Sequence, residues 1–181
     1  MRASCCVAAL ISLFTIPASG EVQTEPFVVT VPGRGWQIHL EAPPLSNFAG
    51  QTKGENFMFQ AAGAGGFNVS AFVEVPKADG TGHEACFDHY WPLAKRSPLV
   101  DQASVKVVKS AKYVKVSYRI NQLGGANGKA NIHVHYYMAH EGRWLDVHAS
   151  QSPAREGEGL LFEAFEKGLS CSPAKARPGS R

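Results

Sequence analysis

Six side chains within one short stretch have types suited to chemistry: His133, His135, Tyr137, Trp144, Asp146 and His148. Imidazole changes charge near neutral pH, and it is also a ligand for zinc, copper and iron. A neighbouring carboxylate can orient the ring or join the ligand set. These residues sit at alternate positions in the segments 131–138 and 143–150. Alternate strand positions share a face, so a hairpin of the two segments gathers all six on one side. The other side then carries Ile132, Val134, Tyr136 and Met138, with Leu145, Val147 and Ala149. If Met138 pairs with Arg143, Tyr137 faces Trp144, His135 faces Asp146 and His133 faces His148. Opposed Cβ atoms lie about 4.5–5.5 Å apart, close enough for a His–Asp hydrogen bond or for two imidazoles on one metal ion. A two-residue slip keeps the faces and changes the partners.

Three readings of this face are open. It is a solvated polar surface, or a ligand surface, or a catalytic site. As a ligand surface it uses all six residues, and a transition metal would take His133 and His148, with Asp146 or His135 as a third group. No compact metal motif accompanies them, so no cofactor is assigned beyond that metal. The catalytic reading places Ser150, His148 and Asp146 on one strand, where residues two apart are roughly 6.5–7 Å apart. That is poor for a relay, and no nucleophile elbow surrounds Ser150. No residue is assigned as catalytic. His39 joins the cluster only if its strand is a neighbour. Cys86 with His83 or His89 has the spacing of a thiol–imidazole pair on a helix.

The elements that must position this face are mostly strands. Residues 27–31, 36–41, 57–61 and 67–75 read as strands, and 104–120 as one long or two short ones. Phe67, Val69, Ala71, Val73 and Val75 share one face; Asn68, Ser70, Phe72 and Glu74 share the other. Gly63–Gly66 and Gly124–Gly128 read as turns. Thr81 and Glu84 match a capping box, predicting a helix to about Arg96, with Pro92 kinking or ending it. Ser152-Pro153 predicts the N-cap and first position of a second helix to about Leu169, with Leu161, Phe162, Phe165 and Leu169 as its apolar stripe. Strands, helix, strands, helix predicts α+β: a mainly antiparallel sheet of about six strands with two helices packed on its apolar face.

The first residues read as a signal peptide: Arg2, an apolar run from Ala3 to Ile16, Pro17, then Ala18-Ser19-Gly20. The run is shorter than the roughly 20 residues of a membrane span, and no later segment is a transmembrane candidate. The predicted organisation is a leader over 1–20, one domain over 21–171 and a disordered basic tail over 172–181. Location is therefore secreted or periplasmic. No cysteine follows the small residues, so lipid anchoring is not expected. The formal net charge is +3. Arg2 leaves with the leader and Lys175, Arg177 and Arg181 lie in the tail, so the folded body lacks the basic face that nucleic acid demands. Cleavage removes Cys5 and Cys6. Cys86 and Cys171 remain and are expected to form a disulfide in an oxidising compartment.

The order of elements resembles the PsbP-like fold, including DcrB-type envelope proteins of bacteria. The likeness rests on Trp36-x-Ile38-x-Leu40-x-x-Pro43 in an early strand, a helix after the fourth strand, a long meander, and a closing helix with Leu161, Phe162 and Phe165. It implies a fold and an envelope location, with no catalytic motif to transfer. The expected role is non-enzymatic binding of a protein partner or small ligand. The alternative is a metal- or ligand-dependent enzyme using the His133/His135/Asp146/His148 face.

Overall fold

A computed structural model describes residues 23–77, 80–120, 130–154 and 158–174. The expected leader, the Gly124–Gly128 turn and the tail beyond Ala174 lie outside the described residues. The strands are β1 (Glu25–Thr30), β2 (Trp36–Ala42), β3 (Leu45–Lys53), β4 (Asn56–Gly63), β5 (Phe67–Glu74), β6 (Val100–Lys109), β7 (Tyr113–Ile120), β8 (Asn131–His140), β9 (Arg143–Gln151) and β10 (Ser170–Pro173). The helices are α1 (His83–Ala94) and α2 (Glu158–Gly168). All pairings are antiparallel, in a seven-stranded sheet ordered β3-β4-β5-β9-β8-β7-β6 and a three-stranded sheet ordered β1-β2-β10. The class is α+β, as expected, but the described residues hold ten strands rather than about six.

Two strands were illegible for physical reasons. β3 is an edge strand, exposed along almost its whole length. It therefore needs no apolar alternation. β10 is four residues long and pairs Cys171 with Ile38. The expected tail at 172–181 thus begins as ordered strand, and the N–H of Ala174 still donates to the carbonyl of Gly35.

Both helix starts differ from expectation. Gly82, in extended conformation, is the N-cap of α1, and no side chain caps it. The Thr81–Glu84 box is therefore not formed. The helix continues past Pro92 for only two residues. The second helix is described over Glu158–Gly168, and Pro153 and Ala154 lie outside it. The N–H of Ser152 instead donates to Gly66 O at 3.0 Å, tying the end of β9 to the β4–β5 turn.

The helices lie on opposite faces of the large sheet, not together on one. On one face, Val134, Tyr136, Leu145 and Val147 join Phe67, Trp36 and Ile38 with Leu161 and Phe165 of α2 in one core. Gly168 allows the end of α2 to approach β2: a Cβ there would lie 2.5 Å from Glu41 Cβ. On the other face, Val114, Val116, Tyr118, Tyr137 and Trp144 pack with Cys86 and Trp91 of α1. The reason lies in the register of β7 with β8. Val116 pairs with His135 and Val114 with Tyr137, so the apolar side of β7 adjoins the polar side of β8. The two strands bury opposite faces, and a second core is required.

This arrangement also excludes the expected disulfide. Cys86 belongs to the core under α1, while Cys171 packs against the core on the other side of the sheet. Both are free. The Cys86 thiol contacts Leu145 O at 3.7 Å. Burial, then the charge of Asp146, pushes Cys86 up to about 12, and burial pushes Cys171 to about 12. Both therefore remain protonated thiols rather than reactive thiolates. Alkylation of denatured, unreduced protein should label both Cys86 and Cys171. A peptide map linking the two would contradict the fold.

Candidate functional site

The β8–β9 hairpin closes through Glu141 and Gly142, with φ of 46° and 70°. Two successive left-handed residues make the tight turn whose twist suits a hairpin. His140 therefore pairs with Arg143, two residues removed from the expected register. His135 lies directly opposite His148, Tyr137 opposite Asp146, and His133 opposite Ser150.

The expected contacts survive as diagonals. His135 Nδ1 meets Asp146 Oδ1 at 2.8 Å, and His133 Nδ1 meets His148 Nε2 at 2.9 Å. A carboxylate only accepts, so His135 carries its proton on Nδ1 when neutral. Its Nε2 then accepts from the Tyr118 hydroxyl at 3.1 Å. The result is an ordered chain: Tyr118 to His135 to Asp146. The rings also stack, with centroids 4.3 Å apart for His135–His148 and 5.1 Å for His133–His148. Tyr118 continues the stack beside His133 and His135.

Burial sets the charge of this ladder. It lowers His133 to about 4, helped by the charge of His135. It holds His148 well below its ordinary value, with His135 and His133 adding to the effect. Both rings are neutral at pH 7, one donating an N–H and the other accepting. Tyr118 is raised to about 12 by burial and then by Asp146. Its hydroxyl keeps its proton.

The cluster is therefore not an open polar surface. α1 covers its turn end, where Tyr137 and Trp144 are buried to 0% and 1% exposure. Phe87 of α1 meets the Tyr137 ring, and His89 and Tyr90 meet Trp144. The Tyr137 hydroxyl and the Trp144 indole nitrogen are buried and find no hydrogen-bond partner among the described residues. Beyond α1, a hollow of about 380 Å³ opens on the same face. Asn47, Gln60, Asn68, Ser70 and His148 line it. Asn47 reaches it from a bulge in β3, where its own φ is 52°. Bulges re-aim side chains in this way. A second hollow, about 230 Å³, lies between β5, β9 and α1.

The structure thus brings together His133, His135, Asp146 and His148, and places Tyr137 and Trp144 under α1 as packing. His39 remains apart on the small sheet, 2.8 Å from Ser172 Oγ. His148 bonds His133, not Ser150. Among the described residues, no group of three or more His, Cys, Asp or Glu side chains is arranged to hold a metal ion. The nitrogens of His133 and His148 that face each other are already hydrogen-bonded. Tyr118 escaped the sequence reading because it occupies an apolar position in its strand. Asn68 and Ser70 were assigned the right face, but their proximity to His148 depends on β5 pairing with β9.

No family model and no curated protein matches this chain. A solved structure from Bacteroides thetaiotaomicron is similar at a TM-score of 0.38 and 12% identity. The similarity covers 76% of this chain and 45% of that one, so this chain spans less than half its length.

Proposed function

We propose that the protein is an exported, non-enzymatic binder of a small, uncharged, hydroxyl- or amide-rich ligand. The observation that carries this reading is the approximately 380 Å³ hollow lined by Asn47, Gln60, Asn68, Ser70 and the neutral ring of His148. Its volume falls in the range of about 300–1,000 Å³ usual for small-molecule sites. The lining offers amide and hydroxyl donors and acceptors, with no formal charge to recognise an ion. Four strands of one hydrogen-bonded sheet hold these groups, so little ordering is needed on binding. Export rests on the leader pattern at 1–20. The PsbP-like part of the proposal rests on the Trp36-x-Ile38-x-Leu40-x-x-Pro43 strand, the meander and the closing helix with Leu161, Phe162 and Phe165, although α1 follows the fifth strand and not the expected fourth.

Saturation-transfer NMR with a panel of neutral saccharides tests the reading. At least one saccharide should bind, and Asn68→Ala or Gln60→Ala should each weaken it about tenfold, the worth of one hydrogen bond to a desolvated group. Binding that survives both substitutions would move the site elsewhere.

A second reading is acid–base catalysis at Tyr118, favoured by the ordered Tyr118–His135–Asp146 chain. Lys106 and Arg119 line the hollow beside Tyr118, so an anionic substrate would suit it. Turnover of a chromogenic phosphate ester that Tyr118→Phe abolishes would support this reading. Turnover equal in both proteins would contradict it.

A further inference from the structure

Phe72, Glu74, Trp144 and Asp146 form a checkerboard on β5 and β9, because Phe72 pairs with Asp146 and Glu74 with Trp144. Tyr90 of α1 completes the 230 Å³ hollow around them. Aromatic faces and carboxylates alternate there, which is the chemistry that holds an organic cation. The Tyr90 hydroxyl donates to Glu74 and fixes its carboxylate. Burial alone would raise Glu74, but hydrogen bonds from Lys77 and Tyr90 and the charge of Lys77 outweigh it and hold the group ionised.

An ammonium ion of the chain itself already uses two of these groups from the edge of the hollow. Lys77 Nζ pairs with Glu74 and stands 5.4 Å from the Tyr90 ring centroid. We propose that this hollow is a site for a small primary amine, whose ammonium group takes the place of Lys77 on Glu74 and Tyr90. The Lys77 side chain is 48% exposed, against 17% for Glu74. The carboxylate belongs to the site, while the lysine can swing into water. Displacing it costs little, because the ammonium end of the pair is half in water, where ion pairs are weak. The volume is below the roughly 300–1,000 Å³ of larger ligand sites, so the ligand is compact. Phe72, 38% exposed, forms the outer wall.

Calorimetric titration with n-pentylamine tests the proposal, with 1-pentanol as the uncharged control. Lys77→Met should bind the amine about two- to fivefold more tightly than the unsubstituted protein, the gain expected from removing a weak competing pair. Adding Glu74→Gln should then weaken binding at least tenfold. Phe72→Ala, at an exposed position that the fold tolerates, should weaken binding at least threefold in the Lys77→Met background. Pentanol should not bind. Asn68→Ala should leave amine affinity unchanged, which separates this site from the neutral-ligand hollow. Equal affinity with and without Lys77, no effect of Glu74→Gln, or equal binding of pentanol would overturn the proposal.

Discussion

Lowering the pH from 7 to 4.5 should destabilise the protein by about 2 kcal/mol. The reason is that the folded chain holds His133 at about 4, against 6.5 for an ordinary imidazole. Between those values the unfolded chain binds more protons than the folded one, so stability falls as pH falls. Full realisation of the shift would be worth about 3 kcal/mol; His133 keeps some surface in water, so about 2 kcal/mol is expected. His148 is depressed by the same burial and acts in the same direction. The stability is intact above pH 6.5 and lost progressively towards pH 4. Glu74 and Glu166 contribute in a different window: both are held below 4.5, so their share is lost only under more acidic conditions. Urea unfolding at both pH values measures the effect. His133→Gln, which removes one of the titrating rings, should flatten the dependence. Equal stability of the original protein at pH 7 and 4.5 would place these histidines in water.

Trp144→Ala should cost about 3–5 kcal/mol, as expected for truncating a fully buried indole. In a domain of this size that lowers the melting temperature by roughly 10 °C. Trp144 is 1% exposed and forms much of the sheet's contact with His89 and Tyr90 of α1. Its loss should undock α1 and open the amine hollow. Trp144→Phe should cost much less, about 1 kcal/mol. It keeps an aromatic ring and removes a buried N–H that has no partner among the described residues, a donor whose desolvation costs about 1–3 kcal/mol. Thermal melts of the two variants give the comparison. Equal losses would mean that the ring contributes nothing to the docking of α1.

The faces of the site strands were legible because a strand's period of two leaves no other assignment. The histidines, Asp146 and the polar residues of β5 all fell on the correct side. The register was not, because Glu141 had to enter the left-handed region to close the hairpin in two residues, and glutamate gives no sign of that. The diagonal reach of His and Asp side chains preserved His135–Asp146 and His133–His148 despite the slip. The placement of α1 was hidden for a different reason. It depends on the apolar side of β7 lying beside the polar side of β8, a pairing that no local pattern specifies. The same long-range fact separates Cys86 from Cys171. A cysteine count permits their pairing; the sheet between them prevents it.

The most direct measurement is two-dimensional NMR of isotope-labelled protein during titration with the saccharide that binds best. The account predicts shifts at the side-chain amides of Gln60 and Asn68 and at the His148 ring. The Trp36 indole, on the opposite face, should remain unmoved. The His148 nitrogens should report a neutral ring at pH 7 throughout. Shifts confined to other surfaces, or a charged His148 ring at pH 7, would contradict the account.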